Sequence, residues 1–195
     1  MAAPTEAKVT VGAPAVGGAI FRAPVGSTQP TDEVTALDAA FIPQGHVSTD
    51  GFTRAIDKAY ATINAWGGSE IAKSRTEIGV SAKFSLVQSL DSDVLTTIFG
   101  ASAVTITPAT VSSGEKIAVA YAGEELPESS WAVNMAYKGR KRRVVFPKAQ
   151  MTTESFEQTF SDEDVVPMPV ELTIYPDASG NYFYDYTDDG VFSAV

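Results

Sequence analysis

The most constraining feature of the sequence is a strict alternation between Glu77 and Leu86. Apolar residues occupy every second position of this stretch, namely Ile78, Val80, Ala82, Phe84 and Leu86. The intervening positions hold charged or small residues. A period of two places the apolar set on one face of an extended chain. The alternation therefore predicts a strand with one face buried in a core.

The residues after this strand change to a helical period. In "LDSDVLTTIFG", Val94, Leu95, Ile98 and Phe99 form one apolar stripe. Asp91 or Ser92 is suited to cap the start of a helix, and Gly100 is suited to end it. We expect one short helix over about residues 91–99.

Most of the remaining chain reads as short strands separated by turn residues. A first strand is expected near residue 20 and an extended stretch around residues 42–57, broken by the Asp50-Gly51 turn signal. Further strands are predicted at Ala103–Thr107, Lys116–Tyr121, Ser130–Tyr137, Arg142–Phe146, Ala149–Phe160, Val165–Ile174 and Tyr182–Tyr186. This pattern predicts a mainly β fold, a β-sandwich or small barrel with one short flanking helix.

The length of 195 residues suggests a single domain with extra arms or loops. Residues 1–17 are rich in Ala, Pro, Gly and Val and are predicted to form an N-terminal arm, with a single β domain at 18–190 and a short tail at 191–195. Within the domain, about residues 57–76 are polar and small, and we expect a long loop there. Loops of this length are usually functional or disordered.

Composition excludes several classes of function. The net charge of −10 argues against sequence-specific nucleic-acid binding, and the lack of cysteine excludes disulfides and thiolate metal sites. No signal peptide and no apolar run long enough for a membrane span are apparent, so we expect a protein that is made and folded in a cytoplasm.

Catalytic and metal sites are not predicted. His46 is the only histidine, and neither a GxGxxG nor a P-loop motif is present. The acidic clusters are better explained as helix caps and turns than as a glycosidase pair. The segment from Asp177 to Asp188 only weakly imitates a calcium loop, because Tyr182 replaces the required glycine. We expect no catalytic residue, metal or cofactor.

A dense basic segment interrupts this acidic chain. It contains Lys138, Arg140, Lys141, Arg142 and Arg143. Three interpretations are open: nucleic-acid contact, a solvated hairpin tip, or a patch that meets acidic turns of a neighbouring copy. The composition favours the last of these.

Several segments, in order, resemble the major tail proteins, or tail tube proteins, of long-tailed bacteriophages, especially those that infect actinobacteria. The similar segments are "TALDAAFIPQGHVSTDGFTRAID", "INAWGGSEIAKSRTE", "FSLVQSLDSDVLTTIFG", "RRVVFPKAQMT" and "VELTIYPDASGNYFYDYTDD". Each motif alone is degenerate, but their order and spacing are fairly specific. The similarity runs from about residue 18 to residue 190.

The resemblance implies a non-enzymatic virion protein that is assembled in the host cytoplasm. Such proteins form hexameric rings that stack into a tube, and DNA passes through the tube without specific binding. Tape measure, tail terminator and tail tip proteins are the implied further partners, and no membrane is involved. We expect an acidic lumen, since negative charge repels phosphates.

The resemblance also implies that a long loop and the terminal arms join one ring to the next. It assigns the loop residues Asp57, Trp66, Gly67, Gly68 and Glu70 to inter-subunit contact. Tryptophan is enriched at interface hot spots, and glycines allow sharp turns. In the other interpretation, the loop folds back and Trp66 covers its own core.

Two other classes of function remain open at this point. One is a β-sandwich adhesion or carbohydrate-binding module, in which aromatic residues near the C-terminus stack on sugars. These residues are Tyr182, Phe183, Tyr184 and Tyr186. The other, less favoured, is a hydrolase with paired carboxylates.

Overall fold

A computed structural model describes residues 9–191 of the chain. The first eight residues of the predicted arm, and residues 192–195 of the predicted tail, lie outside the described residues. The described part contains one helix, α1 (Ser92–Phe99), and the strands β1 (Ile20–Pro24), β2 (Ile42–Pro43), β3 (Val47–Asn64), β4 (Glu70–Leu86), β5 (Val104–Thr107), β6 (Lys116–Val119), β7 (Ser129–Tyr137), β8 (Arg140–Met151), β9 (Met168–Ile174) and β10 (Tyr184–Asp188).

Eight of these strands form one antiparallel sheet in the order β2-β1-β7-β8-β9-β4-β3, with β10 added to β8. Strand β8 pairs with β7 along one edge. Its other edge is divided between β10, which pairs with Lys141–Val145, and β9, which pairs with Ala149–Met151. Strands β5 and β6 form a separate hairpin. In the strand order of the main sheet, the long strands β3 and β4 stand at one end.

The main sheet curls so that its apolar face encloses the core. Phe84 on β4 and Trp131 on β7 are separated by two strands in the sheet, yet their ring centroids are 5.7 Å apart. Phe52 on β3 similarly approaches Phe146 on β8 at 6.0 Å. The predicted mainly β fold with one short helix is confirmed, but the sheet does not close into a barrel.

The helix forms where the sequence predicts it and for the predicted reason. The side chain of Asp91 accepts hydrogen bonds from the backbone amides of Asp93 and Val94, at 2.9 and 3.3 Å, which satisfies donors that the first turn leaves open. Gly100 ends the helix at a φ of 89°. The apolar stripe packs into the core, where Val94, Leu95 and Ile98 are buried.

The predicted strands Arg142–Phe146 and Ala149–Phe160 require correction. They are parts of one strand, β8, which ends at Met151. Proline cannot donate a ladder hydrogen bond and is found at sheet edges or bulges. Pro147 lies at a register shift, where Pro147 and Lys148 of β8 oppose the single residue Ser130 of β7, so the strand continues past it.

Candidate interaction site

The segment predicted as a loop at residues 57–76 is instead a projecting β-hairpin, and that prediction was wrong. Strands β3 and β4 pair from Phe52 opposite Phe84 to Asn64 opposite Glu70, with register shifts after Ala59 and after Ile63. We call residues 56–77 the hairpin arm. The eight residues from Asp57 to Asn64 alone extend about 25 Å at the usual rise of a strand.

The hairpin arm is exposed to solvent on both faces. All of its residues are exposed except Ala65, which is partly buried. Five large apolar side chains are among them, namely Ile56, Tyr60, Ile63, Trp66 and Ile71. A two-stranded hairpin in water is marginally stable on its own. The arm is thus a two-stranded ribbon with large apolar side chains that its own domain does not cover.

The tip of the arm is a tight turn built on two glycines. The amide of Gly68 donates to the carbonyl of Ala65 at 3.0 Å, and the amide of Ala65 donates to the carbonyl of Ser69 at 2.8 Å. Gly67 and Gly68 have φ values of 110° and 90°, a region that residues with a side chain rarely adopt. The sequence "WGG" therefore specifies a turn, and the turn presents its tryptophan outward.

Trp66 is fully exposed, at 107% of its reference area. It does not fold back over its own core, so that interpretation of the tip is wrong. An exposed indole carries a large apolar area with few rotamers to restrict, which is typical of residues that anchor protein interfaces. Near it, Glu70 pairs with Lys73 at 3.5 Å, and both side chains are about half exposed.

The two faces of the arm differ in charge. Residues directly opposite in an antiparallel pair share a face, and faces alternate along a strand. The face that carries Phe52 and Phe84 in the core continues along the arm. It continues through Lys58 and through the pairs Tyr60–Arg75 and Thr62–Lys73. The opposite face carries Asp57 and Glu77, together with Ile63 and small residues. The first of these faces carries three basic residues and one acidic residue, Glu70 opposite Asn64, so its net charge is positive.

A charged cluster anchors the base of the arm to the sheet. Asp185 on β10 accepts hydrogen bonds from Arg142 on β8, at 2.6 and 2.8 Å, and from Arg54 on β3, at 3.3 Å. The guanidinium of Arg54 also lies 4.0 Å from the ring centroid of Phe183. Burial raises the pKa of Asp185, but the hydrogen bonds and charges of the two arginines together hold that pKa below its ordinary value. Asp185 thus links β3 to the middle of the sheet.

The five basic residues predicted as one patch are divided by the structure. Lys138 and Lys141 are exposed near the β7–β8 turn, and Arg142 pairs with Asp185. Arg143 is only 5% exposed. Its guanidinium donates to the side chain of Asn134 at 2.8 Å and to the carbonyl oxygens of Asp32 and Thr35 at 2.9 and 2.8 Å.

A patch made of all five side chains is therefore incorrect. Strand alternation places Arg143 on the face of the sheet opposite the main core, where the 32–35 loop that it holds against the sheet covers it. A dense basic run in a sequence gives no sign of which side chains a distant loop covers.

The C-terminal aromatic residues serve mainly the domain itself. Tyr182 and Phe183 pack against the core, while Tyr184 and Tyr186 stack at a centroid distance of 6.4 Å. The hydroxyl of Tyr184 donates to Asp177 at 2.7 Å.

The weak calcium-loop motif folds as a turn. Asp177 also accepts the backbone amides of Ser179 and Asn181, at 2.8 and 2.9 Å. The hydrogen bond from Tyr184, followed by these amides, lowers the pKa of Asp177. Among residues 9–191, no group of three or more His, Cys, Asp or Glu side chains is placed to hold a metal ion. His46 lies exposed before β3. In the same range, no helix is long and apolar enough to cross a membrane.

Comparison with known proteins identifies one family. The family model described as phage tail tube protein matches residues 2–194. No curated protein sequence matches the chain. Among solved structures, the cap of the anti-feeding prophage, a tube-terminating cap studied by cryo-electron microscopy, is similar at a TM-score of 0.44 and 9% identity, over 93% of this chain and 96% of that one.

Proposed function

The chain belongs to the phage tail tube protein family, and from this premise we propose that its copies assemble into hexameric rings that stack into the tube through which phage DNA is ejected. The family makes it a structural component of the phage tail. We propose further that it has no enzymatic activity and that it meets the tape measure, tail terminator and tail tip proteins in the virion. In this proposal, assembly takes place in the host cytoplasm.

The hairpin arm is the observation that supports this proposal most strongly. A ribbon of about 25 Å, with Trp66 fully exposed at its tip, buries none of its large apolar side chains against its own domain. Contiguous exposed apolar residues mark sites of protein association. A neighbouring copy that covers the arm would bury these residues. It would also stabilise a two-stranded ribbon that is only marginally stable in isolation.

Net charge is consistent with the transport of DNA through the tube. At −10, the chain as a whole repels phosphates and does not retain a polyanion by counterion release. We therefore propose that the lumen is lined by more Asp and Glu than Lys and Arg, and that DNA passes without specific binding.

Electron microscopy of the purified full-length protein, with and without the arm, tests the proposal. The shortened variant replaces residues 60–76 with an Asn-Gly turn, which joins the paired residues Ala59 and Glu77. We expect tubes or six-fold rings from the wild-type chain and only monomers from the shortened variant. Circular dichroism and thermal unfolding serve as the folding control.

Two outcomes would contradict the proposal. A wild-type chain that stays monomeric at high concentration and binds glycans would support a carbohydrate-binding module instead. Tubes of normal yield from a folded, arm-shortened variant would show that the arm does not mediate assembly.

A further inference from the structure

A cleft beside α1 is the surface that best complements the tip of the hairpin arm. We call it the helix-side cleft. Its volume is about 430 Å³, and its lining includes Ile98, Phe99, Tyr121, Leu126, Met151 and Phe156, with Glu124 and Glu125 as its carboxylates. Resting on the proposed function, we propose that Trp66 of one copy inserts into the helix-side cleft of a second copy.

The aromatic walls of the cleft are incompletely covered. Phe99 lies edge-on to Tyr121 at 5.9 Å and to Phe156 at 5.5 Å, while Tyr121 remains 67% exposed. Aromatic rings favour edge-to-face neighbours, and the sulfur of Met151 is a further favourable contact for a ring. A volume of 430 Å³ falls within the range of pockets that enclose small ligands, so it accommodates an indole.

The charges of the cleft match the basic face of the arm. Glu124 and Glu125 accept hydrogen bonds from neutral groups: the hydroxyl of Ser102 donates to Glu124 at 2.6 Å, and the side-chain amide of Gln150 donates to Glu125 at 2.8 Å. These bonds leave both carboxylates with their negative charge, which is available to a partner. Behind the tip, one face of the arm carries Arg75 and Lys73, with Lys73 also 3.5 Å from Glu70, and Lys58 follows on the same face at the base of the arm. Opposite charges of this kind orient two surfaces and fix their register.

A second apolar pocket, at the start of β3, fits the tip less well. It has a similar volume of about 440 Å³, and its wall includes residues 14–20 and His46. The chain's own segment already occupies this side of the sheet, since Ala15 donates to Asn134 at 3.2 Å and Ala136 donates to Ala13 at 3.0 Å. No carboxylate is among its described lining residues, so it offers nothing to the basic face of the arm.

Cross-linking between two single-cysteine variants tests the assignment directly, because the natural chain contains no cysteine. Ser69→Cys places a thiol at the tip and keeps Trp66. Ala122→Cys places one beside Tyr121 at the exposed rim of the helix-side cleft. The matched control is His46→Cys, which lies at the second pocket. A short bis-maleimide is used because a direct disulfide requires Cα atoms within about 7 Å.

The two variants are mixed as monomers, assembled, inspected by electron microscopy and then cross-linked. We expect the Ser69→Cys and Ala122→Cys pair to give at least about tenfold more cross-linked dimer than the Ser69→Cys and His46→Cys pair, where tenfold corresponds to 1.4 kcal/mol of preference. Tubes that show no such preference, or the reverse one, would overturn the cleft assignment and leave the proposed function standing. A sample that forms no assemblies would count against both.

A second variant separates docking from folding. Tyr121 is exposed, so Tyr121→Ala is expected to leave the unfolding midpoint of the monomer nearly unchanged while it lowers the yield of tubes at least about fivefold. Unchanged tube yield from Tyr121→Ala would contradict the proposed site. The double substitution Glu124→Gln and Glu125→Gln is expected to reduce the yield of cross-linked dimer. High salt is expected to reduce that yield in the same way, because exposed charges are screened within about 8–10 Å.

Discussion

The two ends of one hairpin behave as different kinds of structure. At its base, Phe52 and Phe84 are directly paired, and their rings contact the aromatic core. At its far end, the same two strands continue the same ladder with both faces in water. Both halves are antiparallel ladders, with two register shifts in the arm, and the main difference between them is the burial of the side chains.

This contrast shows what specifies each half. The base is held by apolar burial within the domain, whereas the arm has only its ladder and its tight turn. The Arg54–Asp185 pair lies between them and links β3 to β10 at 3.3 Å. Changes at the base should therefore alter the stability of the monomer, and changes in the arm should alter association with another copy.

The largest expected effect on stability comes from a change at the base. Phe84→Ala removes a buried ring that contacts Trp131 at 5.7 Å and should lower the free energy of unfolding by about 3–5 kcal/mol. The matched arm variant is Tyr60→Ala, at an exposed position, which should change it by less than about 0.5 kcal/mol. Chemical denaturation of monomers measures both. Equal losses would erase the contrast between the two halves.

A smaller effect is expected from Arg143, the buried member of the basic run. Arg143→Ala leaves the side chain of Asn134 and the carbonyls of Asp32 and Thr35 without their donor, which should cost about 1–3 kcal/mol. Lys141→Ala, at an exposed neighbouring position, should cost less than about 0.5 kcal/mol. If both substitutions have the same small effect on the free energy of unfolding, Arg143 is not a structural residue distinct from its exposed neighbour Lys141.

The charged link at the base of the arm should depend on pH. The folded-state pKa of Asp185 is lowered, so its contribution to stability is complete above the unfolded pKa of about 3.9 and is lost as pH falls through the folded value. Asp185→Asn should cost about 1 kcal/mol at pH 7, since the site is partly exposed. Denaturation of both proteins from pH 7 to pH 2.5 should show the difference shrinking below about pH 4. A difference that grows at low pH would contradict the arginine contacts.

The sequence predicts the buried base of the hairpin well and the exposed arm poorly. Alternation between Ile78 and Leu86 is visible because a core selects apolar residues on one face only. The arm lacks that alternation because no face of it is buried within its own chain, so it resembles a loop. The one local signal, Trp66 before two glycines, predicts a turn with an exposed indole but not the strands that carry it.

The helix could be predicted from the sequence and the roles of the basic residues could not, because only the helix depends on local signals. Asp91 and Gly100 signal the ends of α1 through backbone hydrogen bonding, which is local and therefore readable. The roles of Arg142 and Arg143 depend on contacts with residues far away in the sequence, Asp185 and the 32–35 loop. The helix-side cleft likewise combines α1 with β8 and two loops, and no single stretch of sequence encodes it.

The most direct test of the account is the assembly of Trp66→Ala, compared with its stability as a monomer. Truncation of an interfacial tryptophan commonly costs 2 kcal/mol or more, about thirtyfold per contact, and a tube repeats that loss at every subunit. Sedimentation and electron microscopy at matched concentration should show monomers for Trp66→Ala and tubes for the wild type, with unfolding free energies within about 0.5 kcal/mol of each other. Tubes of normal yield from Trp66→Ala, with a monomer as destabilised as Phe84→Ala, would contradict the account.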